Sequence, residues 1–206
     1  MPATRSPIAE SAVDGRRARR DRGRLAVTEA AIDLVFEGHI PPTADLIAER
    51  AGVSVASIFR YFDTLDELRN ETTRLYFERF AHLFDIPHIG QGAVSERIEN
   101  FVSSRVSLYE TTEPMARLLR GRATQIPEMD AMLRRVRATR SDQVRLHFAD
   151  VLDLLTPAAA EDAVAVVSTL TSFESWDQIR HDHARSPLQI RRAWANALTR
   201  LLHTIG

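Results

Sequence analysis

Thr43–Phe62 reads TADLIAERAGVSVASIFRYF, the pattern of two short helices joined by a tight turn. Ala48 is small where the helices must cross closely, and Gly52 stands four residues later, where the chain must reverse. Glycine tolerates the left-handed backbone that ends a helix, so Gly52 is a natural stop. Val53 can plug the corner from inside, and Ser54 is a good N-cap for the following helix. Ile47, Ala48 and Ala51 form one apolar stripe, and Ile58 with Phe62 forms a second at the i, i+4 repeat. Val55, Ala56, Ser57 and Arg60 are left facing outward, the layout of a helix that enters a DNA major groove.

Working outward, Gly38 stops a first helix expected over about Arg22–Glu37, and Pro41-Pro42 stiffen the link to Thr43. Thr43 caps the second helix and is also placed to meet a phosphate. The third helix is expected at Val55–Phe62. Asp63 and Thr64 break it, and a fourth runs from Leu65 to about Phe84. Beyond, prolines at or near helix starts suggest helices at about 95–111, 114–123, 128–155, 157–181 and 187–203. Strict alternation and glycine-containing hairpin turns are scarce, so no strand is expected. The expected fold is all-α, about nine helices: an N-terminal three-helix helix-turn-helix domain joined to a C-terminal helical bundle.

The segment Arg24–Phe80 resembles the DNA-binding domain of the TetR family of ligand-responsive transcription regulators. The resemblance rests on AAIDLVFEG (Ala30–Gly38), IAERAGVS (Ile47–Ser54) and IFRYF (Ile58–Phe62), followed by DELRNETTRLYFERF. Family members usually carry Leu-Tyr where this chain has Ile58-Phe59. They also usually carry a phosphate-gripping Lys where Leu65 stands. The domains then expected are a disordered basic arm at 1–20, the helix-turn-helix domain at 21–64, and a ligand-binding and dimerisation domain at 65–206.

On this reading Thr43, Ser54, Val55, Ala56, Ser57, Phe59, Arg60 and Tyr61 are the DNA-binding residues. Val55 and Ala56 offer methyls to thymine, Ser57 reaches a base edge, and Arg60 reaches a guanine or a phosphate. Tyr61 suits a phosphate and sugar contact. Arg60 is the one charged residue of its helix, so the electrostatics fall to the N-terminal arginines. Arg5, Arg16, Arg17, Arg19, Arg20, Arg22 and Arg24 crowd the first two dozen positions, although the net charge is only −1.

Two helices near the C-terminus carry apolar residues over much of their circumference, more than one monomer core should need. The resemblance implies that they pair with their symmetry mates in a homodimer, with Val167, Trp176, Trp194, Leu198 and Leu201 at the interface. A monomeric bundle is the other reading of the same pattern. The resemblance also implies an effector cavity, for which Phe101, Arg105, Tyr109, Leu118, Leu119, Met132, Val136, Phe173 and Glu174 are candidates. A mostly apolar lining with Arg105 or Glu174 as polar anchor suits a lipophilic small molecule.

Composition narrows the alternatives. Of 206 residues 44% are hydrophobic and 27% charged, as in ordinary soluble proteins. No apolar run approaches the ~18 residues of a membrane helix. Cysteine is absent, which excludes disulfides and cysteine-built zinc sites and suits a cytoplasmic protein. The resemblance implies a bacterial one, nucleoid-associated when bound to its operator. Every basic residue is Arg and none is Lys. His181 and His183 flank Asp182, but residues two apart on a helix face different sides, so no metal or other cofactor is expected. No nucleophile elbow or phosphate-cradling loop is present, and no enzymatic activity is expected. Two functions follow: a homodimeric regulator, acting as a repressor on a palindromic operator in double-stranded DNA, or a helical ligand-binding or scaffold protein whose helix-turn-helix only packs.

Overall fold

The computed structural model describes the backbone of residues 7–203 and the side chains of residues 17–202. Among them lie eleven helices and no strand: α1 Pro7–Phe36, α2 Ala44–Ala51, α3 Val55–Tyr61, α4 Leu65–Arg79, α5 Ala81–Phe84, α6 Val94–Ala123, α7 Pro127–His147, α8 Ala149–Leu152, α9 Pro157–Leu170, α10 Phe173–His181 and α11 Pro187–His203. The chain divides into two compact units at Phe80/Ala81. No described helix is long and apolar enough to cross a membrane.

In the first unit, Val27, Ala30, Ala31 and Leu34 of α1 meet Ile47 and Ala48 of α2, Ile58 of α3, Phe62 and Leu68 in one buried cluster. Helix α4 packs on α1. The first unit therefore takes in α4, whereas a boundary after residue 64 was expected. Residues 7–20, expected as an unstructured arm, are the first turns of α1. Ala and Arg are strong helix formers, and here they outweigh Gly15 and the charge density that suggested disorder. Residues 1–6 and the Arg16 side chain lie outside the described residues.

The second unit encloses a larger cluster, with Phe101, Tyr109, Phe148, Val167, Phe173, Trp176, Trp194 and Leu198 among its buried members. Helix α6 is its spine. It packs on α7 and α11 and runs unbroken through Pro114, where two helices were expected. A proline inside a helix removes one N–H bond but need not end the helix when burial continues beyond it. Here Met115, Ala116 and Leu119 keep the apolar face going.

Two expected long helices are instead broken. Ser172 accepts a hydrogen bond from Ser175 N at 3.1 Å and starts α10 anew. The α7–α8 break falls at Phe148, beside an anchored histidine. His147 is fully buried; its Nε2 lies 2.8 Å from Arg97 O, and its Nδ1 accepts Gly90 N–H at 3.1 Å. An imidazole that accepts at Nδ1 and donates at Nε2 is the neutral tautomer. Arg97 closes the knot, donating to His147 O at 2.8 Å and holding both carboxylate oxygens of Asp150 at 2.6 and 2.7 Å.

Burial pushes the His147 imidazole below its usual 6.5, and the Arg97 and Arg105 charges add to this against the opposing hydrogen bond to Arg97 O. The unfolded chain therefore binds more protons than the folded one just below pH 6.5, and stability falls as pH drops through that value. Urea unfolding at pH 7.5 and 5.5 should show this loss, smaller in His147→Gln. The protection factor of the Gly90 amide, taken relative to intrinsic exchange at each pH, should fall over the same interval.

Candidate nucleic-acid interface

The turn between α2 and α3 forms as its residues dictate. Gly52 sits at φ 65°, ψ 33°, and its N–H caps α2 on Ala48 O and Glu49 O. An L side chain in that conformation costs roughly 1–2 kcal/mol, which is why glycine serves there. Thr43 Oγ1 accepts Leu46 N at 3.3 Å at the start of α2, and Ser54 Oγ accepts Ser57 N at 3.1 Å at the start of α3.

Of the residues expected at DNA, Thr43, Ser54, Ala56, Phe59 and Arg60 are exposed, while Val55, Ser57 and Tyr61 are half-buried. Val55 and Tyr61 lean on the core of the first unit. Phe59 keeps 50% of its surface, a large apolar side chain left outside for no packing reason. Ser57 Oγ links Ser54 Oγ at 3.0 Å to Arg60, whose Nη2 donates to it at 3.1 Å. Arg60 also lies over the Tyr61 ring, 5.4 Å from its centroid. At the start of α4, Leu65 is exposed in the place of the expected phosphate-gripping Lys. Arg17, Arg19, Arg20 and Arg22 line the exposed early turns of α1.

Although Arg20 also reaches Tyr61 O at 3.5 Å, Arg24 is held more closely than these. It donates to Tyr61 O at 2.6 Å, pairs with Glu67 at 2.8 Å and lies 4.4 Å from the centre of the Phe62 ring. Glu67 in turn accepts Asp63 N at 2.7 Å. That backbone hydrogen bond, with the one from Arg24, holds the Glu67 carboxyl below the usual range. A neighbouring glycine makes room. A Cβ on Gly23 would come within 2.5 Å of the Tyr61 ring. Sequence reasoning put Arg24 in the first helix but counted it among the N-terminal arginines that supply charge toward DNA; its helical position beside Gly23 was the signal that it faces α3.

The matches to known proteins follow this geometry. Residues 27–72 match the model for bacterial regulatory proteins of the tetR family. The N-terminal unit is therefore similar to the DNA-binding domain of that family over those residues. In coarse terms, that match supports DNA binding in the regulation of transcription. A crystal structure of a transcriptional regulator from Rhodococcus sp. Rha1 shares the fold at a TM-score of 0.65 and 18% identity, over 90% of this chain and 96% of that one. No curated protein sequence matches the chain significantly.

The second unit brings only some of the expected effector residues together. Phe101, Arg105, Tyr109, Leu119 and Phe173 are buried, Leu118, Met132 and Val136 are half-buried, and Glu174 is exposed. Glu174 is already neutralised, with its Oε1 accepting from Arg120 at 3.0 Å and from Arg137 at 3.1 Å. Burial works to raise its carboxyl, but Arg120 and the hydrogen bonds outweigh it and hold the group at about 2. Arg105 has no such partner, and desolvation pushes it down to about 10. Arg140, absent from the expected set, donates to Tyr109 Oη at 2.7 Å. It continues the Met132–Val136 stripe at the i+4 spacing, which could have revealed it.

The dimer expectation needs correction in its residues. Val167, Trp176, Trp194 and Leu198 are at most 1% exposed within the single chain, so they are core and not a surface for a partner. Leu201 is half-buried. One bundle of this size does consume both apolar stripes. What α9 and α11 leave outside is Val166 (52% exposed) and Leu188 (74%).

His181 meets Glu113 Oε1 at 2.7 Å and Asp177 Oδ1 at 3.9 Å, but Arg117 pairs with both carboxylates as well. His183 takes no part in that cluster.

Arg24→Ala removes a charged hydrogen bond to a helix-end carbonyl, a class of bond that contributes roughly 1.5–3 kcal/mol. Urea unfolding should show a loss of that size in the first unit, with Arg24→Lys recovering part of it.

Proposed function

We propose that this protein is a homodimeric repressor that grips a palindromic operator and is released by a small-molecule effector. The observation that carries the reading is the outward face of α3. Ala56, Phe59 and Arg60 are exposed on a helix whose other side is fixed in a well-packed core. A small, rigid face with one guanidinium suits a major groove better than a solvent-facing or scaffold role. Ser54, Val55, Ala56 and Ser57 would lie nearest the bases, with Thr43 and Tyr61 on the phosphates. Phe59 takes thymine methyls or sugar, and Arg60 a guanine edge or phosphate. Arg17, Arg19, Arg20 and Arg22 supply the nonspecific attraction that α3 lacks, and make binding steeply salt-dependent.

One α3 is too short to specify a long site, and twofold symmetry doubles it. The partner would sit on the outward faces of α9 and α11, around Val166 and Leu188. The effector would bind in the second unit among Phe101, Arg105, Tyr109 and the α7 residues Met132 and Val136. A coupling of ~1–3 kcal/mol between effector and operator is enough for a switch. Such a protein works in the bacterial cytoplasm on nucleoid DNA.

Selection of the purified protein against random double-stranded DNA at ~150 mM salt tests the reading. An inverted repeat should be enriched; retention of nothing by a folded dimer refolded free of bound molecules would sink it. Arg60→Ala should weaken binding to the selected site by about 1–3 kcal/mol and leave the dimer intact. Val166→Arg should do the reverse in light scattering, giving a monomer whose folding stability stays within about 0.5 kcal/mol of wild type.

A further inference from the structure

Two arginines of α6 are buried, and their surroundings differ sharply. Arg97 has a two-pronged grip on Asp150 and a backbone carbonyl besides. Arg105 is 2% exposed, and its one hydrogen-bond acceptor among the described residues is Arg140 O at a long 3.4 Å. Its guanidinium lies 4.9 Å from the centre of the Phe101 ring, and no carboxylate pairs with it. The nearest charged neighbour makes matters worse. Arg140 lies over the Phe84 and Tyr109 rings and likewise has no carboxylate partner among the described residues.

The excess of donors continues around Tyr109, one helical turn from Arg105. The Tyr109 hydroxyl donates to Thr171 O and receives Arg140. The rings of Trp176 and Trp194 stand 6.1 and 6.4 Å away, and both indole N–H groups are buried without an acceptor. This part of the second unit thus holds two guanidiniums and two unpaired N–H donors, walled by aromatic rings, with no anion among the described residues to receive them. A buried charge is ordinarily paired, and an unpaired one calls for a compensating group.

We infer that the second unit takes a small apolar carboxylic acid, its carboxylate held in the fork of Arg105 with Arg140 as the second cation and its apolar body against Phe101, Phe84 and Tyr109. The planar fork of a guanidinium matches a carboxylate in two parallel hydrogen bonds. The aromatic walls select against small hydrophilic anions. This rests on the proposed function only in calling the acid an effector; the binding site itself does not depend on DNA.

The experiment compares three acids with their uncharged amides: acetate with acetamide, benzoate with benzamide, decanoate with decanamide. Melting temperature and the fluorescence of Trp176 and Trp194 are followed together. Benzoate or decanoate should bind ~10-fold or more tighter than its amide, and acetate should bind weakly or not at all. Arg105→Met should abolish the acid–amide difference while the ligand-free protein melts at or above the wild-type temperature, because an uncompensated charge has gone. Arg97→Met, which takes the buried donor from His147 O and the partner from Asp150, should melt lower and serves as the contrast. Arg105→Lys retains charge without the fork and should keep part of the preference; it replaces the Met variant if that does not fold.

Equal binding of acids and amides, no binding by any of the three acids, or an acid preference that survives in Arg105→Met would overturn the inference. So would a melting loss in Arg105→Met as large as that in Arg97→Met, which would make Arg105 a packing residue. Release of the selected operator is scored separately. Acid binding without operator release keeps the site and removes the effector role, whereas operator binding with no acid preference keeps the regulator and removes the site.

Discussion

Everything the reading face can do depends on how the last carbonyls of α3 are held. A seven-residue helix has little stability of its own, since nucleation is costly and few propagating bonds follow. Its inner side is secured by Ile58 and Phe62 in the core, but its C-terminal end is secured by Arg24. One guanidinium bonds Tyr61 O, covers the Phe62 ring and pairs with Glu67, and Glu67 bonds the Asp63 N–H in the turn beyond. Three helices are thereby referred to a single side chain of α1. Gly23 is part of the same device, because the Tyr61 ring occupies the space a side chain there would fill. The exposed positions of α3 are free for recognition only because none of them has to hold the helix in place.

A chain that uses Arg for every basic position shows plainly which charges are structural. Arg50 grips both oxygens of Glu37, and Arg97 both oxygens of Asp150. The exposed pairs contribute little individually to stability, but they remove those arginines from any role toward DNA or ligand. Three groups of arginines without a carboxylate partner among the described residues bear on function. They are the early turns of α1, Arg60 on α3, and the Arg105–Arg140 pair inside the second unit. The first two sets face water and suit phosphates. In the third, Arg105 is buried away from water, where an unpaired charge calls for a compensating group.

The helix-turn-helix was legible because its signals are local. A glycine that must be left-handed, two hydroxyl caps and two i, i+4 apolar pairs each fix geometry within a few residues. The second unit was legible in class but not in detail. Pro114 reads as a boundary by local rules, yet α6 runs through it because Met115, Ala116 and Leu119 are wanted in the same core. The break before α10 was written in Ser172, overlooked because apolar spacing continued across it. The dimer residues failed for another reason. Apolar density tells how much surface a helix must bury, not whether its own chain or a partner buries it. Trp176 and Trp194 find their cover in α6. In the same way, Arg105 and Glu174 looked equivalent as polar anchors, and only their partners separate them, since Glu174 has two arginines and Arg105 has no carboxylate.

The Arg24 clamp also restricts how the proposed switch can work. Helix α4 is tied to α1 at both ends, through Glu67 to Arg24 and through Arg79 to Asp33 at 2.9 Å. The first tie is part of the same set of contacts that holds Tyr61 and Phe62. Sliding α4 within its unit would break the support of α3 at a cost comparable to the whole coupling a regulator needs. An effector that acted this way would partly unfold the reading head. The cheaper response keeps the first unit intact and changes its placement as one body, altering the distance between two reading helices across the twofold axis. A palindrome is sensitive to that distance because both halves must be engaged at a fixed helical spacing. In the proposed switch, the rigidity of α3 therefore directs regulation to the spacing of two heads and away from the shape of either one.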